Sequence, residues 1–143
     1  MNVKAILAAK GGDIVSIEPT ADLAAAVELL STHRIGAVVI RGAGGRLSGI
    51  LSERDIVCAI SEHGAAALTL PVSQVMTRNV ATCGEDDSIA SIMERMTEGK
   101  FRHMPVLVKG ELIGLVSIGD VVKQRVGEIE QESEAMRDYI RTA

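Results

Sequence analysis

Two four-residue groups in this chain carry the same chemistry, Ser52-Glu53-Arg54-Asp55 and Ser117-Ile118-Gly119-Asp120. A serine followed three residues later by an aspartate is first of all a capping box, in which hydroxyl and carboxylate close the first turn of a helix. The same geometry leaves free backbone amides and the positive end of the helix dipole beside the acid, an arrangement suited to an anion such as phosphate. The aspartate adds acceptors for ribose hydroxyls, as acidic residues do in dinucleotide folds. A second group, Arg102 and His103, precedes the apolar Met104-Pro105-Val106 run and is expected at the mouth of a strand. There a bidentate guanidinium beside an imidazole makes a phosphate clamp, the alternative being a solvated basic pair. Arg54 is either a further cation for the same anion or an exposed first-turn residue.

A nucleotide would also bring a base, and the chain has one Phe and one Tyr, Phe101 and Tyr139, with no Trp to stack on it. The remaining device is an apolar slot whose backbone reads the base edge. The short extended stretches Ile14-Val15-Ser16 and Val80-Ala81-Thr82 suit such a slot, and Gly36 and Ala37 leave room beside it. Each of these residues serves equally well as an ordinary core position.

Catalytic chemistry finds little support. His33, His63 and His103 are scattered, and no His/Cys cluster has zinc spacing. The Gly42-Ala43-Gly44-Gly45 turn lacks the Gly-Lys-Ser/Thr ending of a phosphate-binding loop. No catalytic residue, metal or required cofactor is expected.

The chain has 143 residues, 47% hydrophobic and 24% charged, with a net charge of −4. A chain of this length buries roughly two-thirds of its unfolded surface and needs no disulfide or metal staple. An acidic chain almost without aromatics argues against nucleic acid as a partner. Its apolar runs fall far short of the roughly 20 residues of a membrane helix. The apolar stretch between Lys4 and Lys10 is too short for a secretory core, and Cys58 and Cys83 stand in no redox or metal spacing. A cytoplasmic protein with reduced thiols is expected.

The elements that must hold the chemical groups are duplicated. Leu23, Ala26, Val27 and Leu30 recur 66 residues later as Ile89, Ile92, Met93 and Met96, both at the i, i+3, i+4, i+7 spacing of one helix face. Thr20 and Asp86 are the expected N-caps, with Asp22 and Asp87 in the first turn. After each helix come a β-rich run, a glycine turn and a second strand that ends in the Ser-x-x-Asp group. Each half thus reads strand, helix, strand, strand, helix, an α+β repeat in which two copies share their burial. The expected segments are 1–64 for the first copy, 65–71 for a linker, 72–126 for the second copy and 127–143 for a helical tail. The tail's Met136, Tyr139 and Ile140 form a stripe able to rest on a second subunit.

Two signatures of the form Gly-hydrophobic-hydrophobic-Ser-x-x-Asp, Gly49 to Asp55 and Gly114 to Asp120, together with Arg102-His103-Met104-Pro105-Val106 and the duplication, resemble the CBS-domain pair, or Bateman module. The resemblance runs from about Val3 to Val126. It implies two tandem β-α-β-β-α repeats related by a pseudo-twofold axis, with ligand clefts between the copies. It implies an adenosine ligand such as AMP, ADP, ATP or NAD(H), with S-adenosylmethionine ranked behind them. It also implies a regulatory rather than catalytic role, a homodimer, and an effector protein that the sequence does not name. The alternative is a constitutive dimeric scaffold with vestigial sites. The first copy departs from the pattern, carrying Gly36-Ala37-Val38-Val39 where the second has Arg102-His103-Met104-Pro105.

Overall fold

A computed structural model describes residues 2–142; Met1 and Ala143, the outer ends of the first and last expected segments, lie outside the described residues. The element order is α1 (Val3–Lys10), β1 (Ser16–Ile17), α2 (Leu23–His33), β2 (Ala37–Arg41), β3 (Leu47–Ser52) and α3 (Glu53–His63). A 3-10 segment (Gly64–Thr69) leads into α4 (Val72–Val75), followed by α5 (Ile89–Gly99), β4 (His103–Val108), β5 (Glu111–Ser117) and α6 (Ile118–Thr142). The tandem α+β repeat read from the sequence is present, with an additional short helix opening each copy.

The compact units in space are not the sequence halves. Among the described residues one unit comprises 2–12, 82–109 and 113–142; the other comprises Asp13–Ala81 with Gly110–Leu112. The helix that opens each sequence copy therefore packs in the unit built mainly from the other copy. α1 is tied to its unit by amides of Val3 and Lys4, which donate to the carbonyls of Asp87 and Glu85. The segment 65–71, expected as a linker, is a packed part of its unit: Ala67 is buried in the core and the Leu70 carbonyl accepts from the Leu23 amide.

In the unit holding Asp13–Ala81, β2 lies between β1, which it meets in parallel, and β3, which it meets antiparallel. Leu23, Ala26 and Leu30 of α2 and Ile56 and Ala59 of α3 cover Val38, Ile40 and Leu51. β4 and β5 form a two-stranded sheet that, from Ile113 of β5 onward and over all of β4, belongs to the other unit. Lys109 and Gly110 join them with positive φ at both positions, 51° and 80°, the combination a two-residue hairpin turn requires. Its buried side chains include Val3, Ile89, Ile92, Met96, Met104, Val106, Val116 and Val121.

Three expectations are corrected. The N-caps are Asp22 and Ser88, whose side chains accept from the amides of Ala25 and Ser91, rather than Thr20 and Asp86. Both helices thus begin two residues later than expected, because Asp22 and Ser88 hold extended backbone while Asp87 is used elsewhere, accepting from the Gly84 amide at 2.8 Å. Val80-Ala81-Thr82 is not a strand; only Cys83 makes a bridge, parallel to Val106. In the first copy the Val39 amide donates to the Val15 carbonyl. Pro105 stands at the matching position, has no N–H, and ends the ladder at Cys83, while the Arg95 guanidinium takes the Thr82 carbonyl at 2.6 Å. Finally, the tail is no separate element: α6 runs 25 residues without a break through Gly127.

Candidate functional site

Each signature is a strand end that becomes a helix start, and in both the capping box is closed. At α3 the Asp55 carboxylate accepts from the Ser52 amide at 2.9 Å, and the Ser52 hydroxyl accepts from the Asp55 amide at 3.3 Å. At α6 the Ser117 amide donates to Asp120 Oδ2 at 2.9 Å, and the Asp120 amide donates to the Ser117 hydroxyl at 3.2 Å. The two boxes differ in what else reaches the carboxylate.

Beside Asp55 sits Thr77. Its amide and carbonyl pair with Ile50 on the edge of β3, and its hydroxyl lies 3.2 Å and 3.4 Å from the two carboxylate oxygens. The Ser52 hydroxyl also donates to Asp55 Oδ2, so both oxygens of Asp55 are engaged by neutral neighbours. Gly36 and Ala37 border this box: the Glu53 amide donates to the Gly36 carbonyl, and Ala37 pairs with Ser52. β1 lies on the far side of β2, with Ser16 opposite Val39 and the Val15 carbonyl accepting from Val39. Ile14, Val15 and Ser16 are half-buried, as is Val80, while Arg54 is exposed and has no partner among the described residues.

Beside Asp120 sits Lys10. Its ammonium donates to Asp120 Oδ2 at 2.7 Å and to the Leu115 carbonyl at 2.8 Å. Partial burial disfavours the charged carboxylate. The Lys10 bond and charge, with the Ser117 amide and hydroxyl, outweigh that and hold Asp120 below its ordinary value. Asp120 Oδ1 has no partner among the described residues. Arg102 borders this box as Gly36 borders the other, its carbonyl accepting from the Ile118 amide at 2.8 Å. The Arg102 side chain is exposed, and His103 opens β4 half-buried.

Of the expected site residues, Ile14, Val15, Ser16, Gly36, Ala37, Ser52, Arg54, Asp55, Val80 and Ala81 fall in one unit, and Thr82, Arg102, His103, Ser117 and Asp120 in the other. Sequence reasoning missed Thr77 and Lys10. They do not occupy matching positions in the two copies, so the duplication gave no signal for them. Buried Cys83 has its thiol pushed up to about 11, first by burial and then by nearby Asp87, which makes it a poor nucleophile. Among the described residues no group of three or more His, Cys, Asp or Glu is placed to hold a metal ion. Among those residues no helix is long and apolar enough to cross a membrane.

Tandem α+β repeats, each ending its last strand in a Gly-hydrophobic-hydrophobic-Ser-x-x-Asp turn, define a class of paired binding modules. The profile of the CBS domain matches residues 3–62 and 72–127, and the chain belongs to the CBS-domain family as a tandem pair. A CBS-domain containing protein from Agrobacterium tumefaciens is 46% identical, with a TM-score of 0.85 over 87% of this chain and 92% of that one. The mitochondrial CBS domain-containing protein CBSX3 of Arabidopsis thaliana is 34% identical over 119 residues, 80% of this chain. The chain spans 58% of the length of that relative and 20% of another from the same plant. A CBS domain pair solved in complex with 5′-methylthioadenosine and S-adenosyl-L-methionine has the same fold, with a TM-score of 0.79 at 24% identity.

Proposed function

We propose that this chain is a regulatory module that binds an adenine nucleotide (AMP, ADP, ATP or NAD(H)) at its signature turns and passes its state to an effector protein. It works as a cytoplasmic homodimer and catalyses no reaction. The Asp120 box carries this reading. It combines an acceptor oxygen without a partner among the described residues, the Lys10 ammonium and the amides at the start of a helix. At the head of β4, where the Arg102 carbonyl takes the Ile118 amide, an exposed guanidinium is free to turn toward a ligand. Asp120 Oδ1 accepts from a ribose hydroxyl. Arg102, the remaining donor of Lys10 and the helix start take the phosphate, with His103 beside them at the strand mouth. At the other box Ser52, Asp55 and Arg54 serve the same roles more weakly, because both Asp55 oxygens are already engaged. Ile14 to Ser16 with Gly36 and Ala37 supply an apolar slot for the base. Ligand favours one arrangement of the dimer over another, which is the signal the effector reads.

Isothermal titration of the full chain with AMP, ADP, ATP, NAD(H) and adenosine tests this. Saturable nucleotide binding is expected, with Arg102→Ala weakening AMP at least about tenfold and adenosine little, as befits a charge-assisted bond. Absence of binding by every member of the panel leaves the scaffold reading in its place.

A further inference from the structure

The inference that follows rests on the dimer reading above and assigns its interface. α6 packs in its own unit through Val121, which is fully buried, yet the helix also carries a second apolar stripe. Val122, Val126, Ile129, Met136 and Ile140 are between 44% and 67% exposed. With Ser133 they follow one another at spacings of 4, 3, 4, 3 and 4 residues, the a/d seam of a coiled coil. Over about 27 Å of helix these apolar side chains keep about half or more of their surface exposed, and the exposure rises toward the C-terminal end of the helix. Taking Val126 and Ser133 as a positions places Arg125 and Glu132 at g and Lys123, Glu130 and Arg137 at e.

We propose that α6 pairs with α6 of a second copy as a parallel coiled coil. The flanking charges choose both occupant and direction. In a parallel homodimer each g residue meets the e residue five positions on, so Arg125 faces the partner's Glu130 and Glu132 faces the partner's Arg137. Symmetry makes every one of these attractive contacts twice. The antiparallel register that aligns the same seam sets Lys123 against the partner's Arg137, and Glu130 and Glu132 each against its own copy. Charge therefore favours the parallel pair and opposes the antiparallel one. The Arg125 guanidinium, which bonds Glu128 on its own helix at 2.8 Å, has donors left for the partner. Parallel pairing joins the two copies head to head, and Ser133 at the middle a position keeps the seam weak enough to part.

Sedimentation equilibrium of the full chain tests the assignment with Arg137→Glu and the charge exchange Glu132→Lys/Arg137→Glu. All substituted positions are exposed, and far-ultraviolet circular dichroism checks the fold. The expected result is dimerisation weakened roughly tenfold by Arg137→Glu and restored by the double exchange. Tighter association of Arg137→Glu identifies the antiparallel pair and overturns the proposal, as does weakening that the exchange fails to rescue. A dimer indifferent to both variants removes α6 from the interface but leaves the dimer standing. A wild-type monomer at micromolar concentration overturns the dimer reading as well.

Discussion

The two capping boxes began as copies of one another and now do different electrostatic work. Around Asp55 the neighbours are neutral: the Thr77 hydroxyl, the Ser52 hydroxyl and amide, and the carbonyl-bearing Gly36. Around Asp120 the direct neighbour is a cation, the Lys10 ammonium, which bonds both the carboxylate and the Leu115 carbonyl. A carboxylate whose oxygens are both satisfied by local hydroxyls and amides has its lone pairs spent on holding the helix start. A carboxylate with one oxygen free, beside an ammonium held by a carbonyl, is an acceptor and a cation offered together. Duplication thus supplied two equal frames, and a single side chain outside the motif, Lys10, gave one of them a cation.

The largest effect separating the two units is steric. A methyl group built on Gly49 falls 2.7 Å from both the Met76 sulfur and the Thr77 carbonyl oxygen, and backbone bonded to β3 cannot withdraw. The equivalent group on Gly114 meets only the end of the Leu7 side chain, at 2.5 Å, which can rotate away. Gly49→Ala is expected to cost about 3 kcal/mol and Gly114→Ala about 1 kcal/mol in urea unfolding. Equal costs would mean that the Thr77 backbone bridged to Ile50 is as yielding as a leucine tip.

Next in size is the ion pair. Lys10→Met is expected to destabilise the chain by about 1 kcal/mol at neutral pH, because it leaves a half-buried carboxylate without its cation. The pH dependence has a definite sign. Asp120 titrates below its ordinary value when folded, so acid protonates it more readily in the unfolded chain. Its stabilisation is complete above the unfolded carboxyl range and is lost as pH falls through the folded value. Lys10→Met should therefore flatten the loss of stability on acidification, and an acid limb as steep as wild type would contradict the pairing.

The smallest effect belongs to the neutral box. Thr77→Val keeps shape and removes one hydroxyl from an exposed site, and is expected to cost about 0.5 kcal/mol in urea unfolding. A cost as large as that of Lys10→Met would show that Asp55 relies on Thr77 as Asp120 relies on Lys10.

Much of this difference was not legible in the sequence, for reasons that particular residues make plain. The helices carrying Leu23 to Leu30 and Ile89 to Met96 announced themselves by spacing, and the Ser-x-x-Asp turns by their repetition. The caps were misplaced by two residues because several polar residues precede each helix and only the backbone angles select Asp22 and Ser88. The missing strand before Cys83 was readable in principle, since Pro105 lacks the N–H that Val39 gives to Val15. Lys10 and Thr77 were not readable, because each reaches its aspartate only through tertiary packing, 110 and 22 residues away in the chain. The opening helices were missed for a similar reason: α1 is eight residues and α4 four, too short to show a period, and both depend on their unit for burial.

Titrating AMP into Asp120→Asn and Asp55→Asn separates the box proposed to bind nucleotide strongly from the one proposed to bind it weakly. Both substitutions keep the side-chain shape and remove the charge. Asp120→Asn is expected to weaken AMP binding by about tenfold or more while Asp55→Asn stays within about threefold of wild type. Equal losses in the two variants, a greater loss at Asp55, or no loss in either would contradict that proposal.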